Sequence, residues 1–218
     1  MQKNAYLRET EFLNFTHPEF RAFIDPFCKE SASVETAIKY YQFIRDHFLY
    51  DPFHLDLRKP ALQASSIILK NRAWCVEKAI VFAAGLRAMG IPAKLGYAIV
   101  ENHIGVERLT QILKSPKIVF HGYVEVFIKE FNQWTKATPA FDQRVCKLSH
   151  VEPLTWDGKQ DSLFQAYMGT NKFMLYHHDY GTFDDVPRDL MQLEMSRFYP
   201  HLFDGSVPNT KKFSFYFE

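Results

Sequence analysis

The stretch from Cys75 to Pro92 constrains the fold of this chain more than any other. Residues 75–89 read CVEKAIVFAAGLRAM, which is rich in alanine, leucine and other residues that tolerate a helix, and the following Gly-Ile-Pro is a strong stop signal. A run this apolar is expected to be buried. We therefore predict a buried helix that begins at Cys75.

The hydrophobic period changes after this helix. Residues 93–100, 121–128 and 133–138 carry the β-branched and aromatic side chains that are typical of strands. The polar turn KEFN joins the last two segments, which predicts an antiparallel hairpin.

Further helices are predicted on both sides of these strands. Residues 31–49 place apolar side chains at helical spacing after two candidate N-caps, Ser31 and Ser33. A late helix is expected after Pro187. The pattern predicts one α+β domain over residues 1–218, with a core at about 31–145 and a C-terminal extension at 146–218 whose role the sequence does not show.

Composition excludes several classes of protein. The 218 residues include 26 Lys and Arg against 25 Asp and Glu, for a formal charge of +1, so no overall field attracts nucleic acid or anionic lipid. We expect neither a nucleic-acid nor a membrane partner, and no run of about 18 apolar residues is present. The sequence does not indicate an oligomeric state.

The cysteines indicate a cellular compartment. Cys28, Cys75 and Cys146 are too few and too widely spaced for a disulfide framework, and the first residues carry no secretory signal pattern. A reducing, cytoplasmic setting fits this usage.

Cys75 is the candidate nucleophile. The first N–H groups of a helix have no partner within the helix, and the positive end of the helix dipole lies there. These groups favour a thiolate, so the pKa of the Cys75 thiol is expected to fall, and they can also accept the charge that develops on a carbonyl oxygen under attack. The alternative is a buried structural thiol, the commoner role of a lone cysteine beside an apolar helix.

His121 begins the second predicted strand and is the candidate proton carrier. Nucleophilic cysteine enzymes assemble their Cys-His pair through space rather than along the sequence. A histidine at a strand start is, alone, a weak signal.

Three sequence blocks carry a family resemblance. Residues 71–97, NRAWCVEKAIVFAAGLRAMGIPAKLGY, resemble the transglutaminase-like superfamily, in which a cysteine opens a helix that ends in an Arg-Ala-X-Gly-Ile-Pro-Ala run. HGYVEVFIKEFNQWTKATPAFD supplies the second block, a histidine at the start of a strand with an acidic residue and a tryptophan after it. Its matching residues are His121, Glu125 and Trp134.

A third block lies upstream. IRDHFLYDP resembles the segment that precedes the catalytic helix in many members, with Arg45, Asp46, Tyr50 and Asp51 at the matching positions. The resemblance spans about residues 35–145. It implies a papain/transglutaminase-like core, with the catalytic helix packed against an antiparallel sheet and no cofactor or metal.

The resemblance also implies the roles of the site residues. Cys75 would be the nucleophile and His121 the general base and later the general acid. The family's third member is an aspartate four positions after the tryptophan, but this chain has Thr138 there. Asp142, in the same TPAFD segment, is the alternative that could orient the imidazole.

Other polar and aromatic residues are weaker candidates. Trp74 and Trp134 could line a cleft, and Asn102 and His103 could lie at its rim, although packing beneath a loop or a solvated turn explains such residues equally well. The run from His177 to Asp179 resembles a metal cluster, but neighbouring strand residues face opposite sides and no second ligand pair has a zinc-like spacing.

Two functions remain open at this point. The first is cysteine-dependent acyl-enzyme chemistry on a protein, peptide or small amide substrate, as an amidase, deamidase, peptidase or transglutaminase-type enzyme, with hydrolysis favoured over acyl transfer. The second is a binding or scaffolding module that has lost turnover, which the threonine at position 138 would explain.

Overall fold

A computed structural model describes residues 2–102, 107–163 and 174–218 of this chain. Its α-helices are α1 (Pro18–Cys28), α2 (Val34–His47), α3 (Ala64–Ile67), α4 (Cys75–Ala88), α5 (Glu107–Leu113), α6 (Gln143–Leu148), α7 (Arg188–Phe198) and α8 (Pro200–Phe203). Its strands are β1 (Leu49–Tyr50), β2 (His54–Asp56), β3 (Arg72–Ala73), β4 (Ala93–Asn102), β5 (Lys117–Ile128), β6 (Gln133–Ala137), β7 (Met174–Phe183) and β8 (Ser214–Tyr216). Two 3₁₀ helices span Gln2–Leu7 and Lys59–Leu62.

The central sheet has four strands in the order β6-β5-β4-β7, and all its neighbouring strands run antiparallel. The three predicted strands correspond to β4, β5 and β6, and the predicted hairpin is the β5-β6 pair, in which Val126 lies opposite Thr135. The prediction that His121 begins its strand is wrong, because β5 begins at Lys117 and continues through this histidine. The fourth strand, β7, was not predicted from the sequence and comes from the C-terminal third of the chain.

Helix α4 packs against β4 and β5, which confirms the predicted α+β class. Its residues from Cys75 to Arg87 are all buried. Gly85 allows α2 to approach closely, because a Cβ there would lie 2.2 Å from the hydroxyl oxygen of Tyr40, which donates a hydrogen bond to the Val81 carbonyl. The helix that carries the candidate nucleophile is therefore held on two sides.

The helix ends as its sequence predicts. Gly90 adopts a positive φ of 80°, the left-handed conformation that favours glycine after a helix. The buried guanidinium of Arg87 donates hydrogen bonds to the carbonyl oxygens of Ala93, Arg8 and Asp184. This side chain ties the C-terminal end of α4 to three other segments.

Two small parallel sheets surround the N-terminal end of α4. In one, Tyr50 of β1 lies opposite Ala73 of β3, two residues before Cys75. In the other, β2 pairs with β8, so that Leu55 lies opposite Phe215. Both sheets bring distant parts of the chain to the start of α4.

The predicted helix over residues 31–49 is α2, and Ser33 is its N-cap because its hydroxyl accepts the N–H of Thr36. Among the described residues, no helix has the length and apolar character needed to cross a membrane.

Candidate active site

The sulfur of Cys75 lies at the first residue of α4, and the backbone N–H groups of Gly122, Val76 and Cys75 itself act to lower the pKa of its thiol. Glu77 satisfies another N–H of this helix start, since its carboxylate accepts the N–H of Trp74 at 3.2 Å. The helix start therefore supplies donors to the sulfur, as the sequence predicts.

Burial nevertheless overturns the predicted shift of the thiol. Cys75 is 2% exposed, and desolvation raises the pKa of its thiol to about 11, because burial opposes the charged form more strongly than the three N–H groups favour it. The expectation of a lowered pKa is wrong for the protein in this conformation. The site holds a neutral thiol at neutral pH.

The space beside Cys75 is small and apolar. Its volume is about 20 Å³, enough for roughly one water molecule. Leu109 and Leu113 of α5, Met195 of α7 and Tyr199 cover it. A substrate can reach the sulfur only if this cover moves.

Gly122 brings β5 directly against the start of α4. A Cβ at this position would lie 3.0 Å from the Cα of Val76 and 3.1 Å from the carbonyl oxygen of Cys75. His121 precedes this glycine, so its backbone lies beside the helix start. Phe120, one residue earlier, has a positive φ of 62°, which bends the strand at this point.

The His121 ring is fully buried. Burial lowers the pKa of His121 to about 4, so the ring is neutral at neutral pH. Neither ring nitrogen has a hydrogen-bond partner within the described part of the chain. The ring lies 6.5 Å from Phe141 in a stacked arrangement and 6.5 Å from Tyr176 edge to face.

The structure does not bring either candidate third residue into hydrogen bonding with His121. The hydroxyl of Thr138 donates instead to the Gly122 carbonyl at 3.1 Å. The carboxylate of Asp142 caps α6, where it accepts the N–H groups of Arg144 and Val145, and it also accepts the N–H of Tyr50 at 2.6 Å. Asp142 therefore ties β1 to α6.

The four candidate cleft residues fall into different places. Trp74 is buried beside Cys75 and lines the same small space. The Trp134 ring lies under the ammonium of Lys94, 3.8 Å from it, and does not line that space. Asn102 is the last residue of β4, and His103 lies outside the described residues.

Sequence analysis missed four tyrosines around the sulfur. Burial, and after it the charge of nearby groups that include a Cys75 thiolate, raises the pKa of the phenols of Tyr50, Tyr97, Tyr176 and Tyr199. The Tyr176 ring also lies edge to face with the His121 ring, so β7 contributes a side chain beside the candidate proton carrier. Only Tyr50 had a sequence signal, in the block upstream of the helix.

No three side chains of the metal-binding types His, Cys, Asp and Glu come together in the described ranges. His177 pairs instead with Glu101, 2.9 Å away. Asp179 accepts a hydrogen bond from the Tyr123 hydroxyl at 2.8 Å and contacts Lys136. Partners on β4, β5 and β6 therefore account for His177 and Asp179.

Comparison with known proteins identifies one family. The family model of the transglutaminase-like superfamily matches residues 21–139, more than half of the chain. The matched range contains Cys75 and His121 and ends before Asp142. No curated protein matches the sequence.

Proposed function

The chain belongs to the transglutaminase-like superfamily, and on that basis we propose that it hydrolyses a carboxamide or peptide bond through an acyl-enzyme on Cys75. The substrate is a protein, a peptide or a small amide. The observation that carries the proposal is the position of Cys75 at the start of α4 with Gly122 packed against it, where backbone N–H groups favour the thiolate. Such donors stabilise both a thiolate and the oxyanion of a carbonyl under attack.

The reaction has two stages. The Cys75 sulfur attacks the carbonyl carbon, its proton passes to the His121 ring, and the C–N bond breaks as that proton moves to the leaving nitrogen. Water then attacks the thioester carbonyl and gives up a proton to His121, and the C–S bond breaks as His121 returns that proton to the sulfur. The products are a carboxylate and an amine or ammonia.

The buried arrangement requires an opening step before chemistry. A thiol with a pKa of about 11 and an imidazole with a pKa of about 4 do not exchange a proton favourably. Both shifts come from burial, so displacement of α5 or α7 that admits water or substrate moves both pKa values toward their ordinary range. We place the activity in that open state, in a cytoplasmic setting.

A second function is favoured by a different observation. The side chain of Thr138 hydrogen-bonds to the Gly122 carbonyl, and that of Asp142 caps α6. Neither stabilises an imidazolium at His121, and no other described residue hydrogen-bonds to this ring. A module that keeps the fold and binds a partner without turnover would look the same. The two functions differ in whether Cys75 can be acylated.

Trapping at the sulfur distinguishes them. A chloroacetamide analogue of a glutamine-containing peptide would be incubated with a Cys28→Ser variant, which removes the exposed thiol, and the mass shift of each remaining cysteine would be followed. The enzyme hypothesis expects modification of Cys75 at a rate that His121→Gln lowers at least about tenfold. Equal rates with and without the imidazole, or modification no faster than that of Cys146, would favour the binding module.

A further inference from the structure

A large cavity lies against the same end of α4, on the other side of the wall that covers Cys75. Its volume is about 930 Å³, within the range that holds drug-sized ligands. Tyr50 and Leu55 line both this cavity and the small space at the sulfur. Helix α5 also contributes to both, since Arg108 faces the cavity and Leu109 faces the sulfur.

The cavity carries more positive than negative side chains. Its cationic lining residues are Lys70, Arg72, Arg108, Lys211 and Lys212. Its carboxylates are Asp51, Asp56 and Glu77. The formal charge of these groups is therefore positive although the whole chain is nearly neutral.

The three carboxylates are already neutralised by neighbours. Asp51 forms an ion pair with Arg72 at 3.7 Å and accepts a hydrogen bond from His54 at 2.9 Å, and Asp56 forms an ion pair with Arg58 at 2.6 Å. Glu77 pairs with Lys70. These carboxylates consequently contribute little net negative charge to the cavity.

Three of the cations have no carboxylate partner among the described residues. Arg108 stacks on the ring of Phe53, 4.3 Å away, and donates one hydrogen bond to the Lys212 carbonyl. The ammonium groups of Lys211 and Lys212 are exposed and form no ion pair in the ranges that the structure describes. A planar guanidinium with two ammonium groups beside it can bind a carboxylate or phosphate.

We propose that this cavity, which we call the anion cavity, binds a negatively charged group of a peptide-sized acyl donor whose amide reaches Cys75. The link to Cys75 rests on the proposed function. Binding of the anion in the cavity does not require any reaction at the sulfur. An anion held at Arg108 and the two lysines places the adjoining residues of the peptide beside the wall formed by Tyr50 and Leu55. Movement of α5, which contributes Arg108 to the cavity and Leu109 to the space at the sulfur, would connect the two. The anionic group is a carboxylate or a phosphate, since the same cations bind both.

Binding of labelled peptides to a Cys75→Ala variant tests the proposal without turnover. Three fluorescein-labelled hexapeptides would be compared by fluorescence anisotropy, each with a central glutamine flanked by two glutamates, two phosphoserines or two neutral glutamines. Lys212→Glu reverses one cavity charge. Lys129→Glu is the matched control, because this exposed lysine follows β5 near the opposite end of α4, about 20 Å away for a helix of this length.

We expect at least one anionic peptide to bind about fivefold or more tightly than the neutral one, and Lys212→Glu to remove most of that difference. The stronger of the two anionic peptides identifies the carboxylate or the phosphate as the source. Equal binding of all three peptides, no saturable binding, or an equal effect of Lys129→Glu would overturn the proposal. Binding without any Cys75 adduct in the trapping experiment would reject the enzyme and keep the anion cavity, whereas an adduct without charge selectivity would do the reverse.

Discussion

The backbone N–H of Gly122 favours the Cys75 thiolate, and the same glycine has no room for a side chain against the helix that carries that sulfur. Gly122 therefore supplies an N–H group that favours the Cys75 thiolate, and its lack of a side chain sets the distance between β5 and α4. The close approach involves backbone atoms of Val76 and Cys75, which cannot rotate away as a flexible side chain would.

Replacement of this glycine should therefore disturb both stability and the site. We expect Gly122→Ala to lower the free energy of unfolding by about 1–3 kcal/mol, the usual cost of overpacking a close-packed interior. Urea unfolding followed by circular dichroism would measure the loss. An unchanged midpoint would show that the strand moves away freely and that the contact does not constrain the site.

The cover over Cys75 should control its reactivity. Leu109→Ala opens space directly beside the sulfur, so we expect alkylation of Cys75 by iodoacetamide to become at least about tenfold faster, with its pH midpoint shifted down from about 11. Mass spectrometry of the labelled peptides would give the rate. Leu148→Ala, at a side chain that is 73% exposed, is the matched control.

The labelling rate of Cys146 in the same experiment distinguishes local opening at Cys75 from unfolding of the whole protein. The Cys146 thiol is fully buried away from α5. If Leu109→Ala accelerated the labelling of Cys146 and Cys75 equally, the effect would come from unfolding, and the role of the cover would be refuted.

His121 should make the protein acid-sensitive. The pKa of this ring is about 4 in the folded protein, against an ordinary value of 6.5 in the unfolded chain. Between these two pH values the unfolded state binds more protons than the folded state, so the free energy of unfolding falls as the pH is lowered through this range. Between pH 8 and pH 5 we expect the wild type to lose about 2 kcal/mol more than His121→Leu does. Urea unfolding of the wild type and of His121→Leu at both pH values would measure this difference. An equal loss of stability in the two proteins would show that the ring is hydrated in the native state and would contradict the prediction.

Lys78 should have an effect at alkaline pH. Burial lowers the pKa of this lysine from 10.5 to about 7, so the unfolded state binds more protons between these values and the stability of the wild type rises with pH there. The stability of Lys78→Met relative to the wild type should therefore fall by roughly 3 kcal/mol between pH 7 and pH 10. Lys129→Met, at an exposed lysine, should show no such trend.

Much of the central fold could be predicted because its signals are local. The helix from Cys75, its stop at Gly90 and the β5-β6 hairpin each depend on residues close together in the sequence. The pairing of β7 with β4 joins residues about eighty positions apart, and a polar strand such as LYHHDY carries a weak periodic signal. Its contribution to the site through Tyr176 could not be read from the sequence for the same reason.

The site was predicted less well than the fold because burial decides its electrostatics. The start of a helix correctly indicates N–H donors at Cys75, but the depth of the sulfur depends on α5 and α7, which pack over it from elsewhere in the chain. Gly122 did carry a usable signal, since a glycine inside a strand often marks a close backbone approach. The loss of the family's aspartate at position 138 was visible, but the use of Asp142 as a helix cap was not.

The pairing of β2 with β8 makes one wall of the anion cavity depend on a segment that is distant in sequence from the rest of the lining. That wall is held by the Leu57 N–H on the Tyr216 carbonyl, and by the side chains of Arg188 and Gln192 on the Phe217 carbonyl. Proteolytic cleavage before Lys211 would detach Lys211, Lys212 and β8, whereas α4 and the central sheet lie before the cut. Loss of this segment would remove two of the three cavity cations that have no carboxylate partner among the described residues, and the charge preference of the cavity would be lost with them.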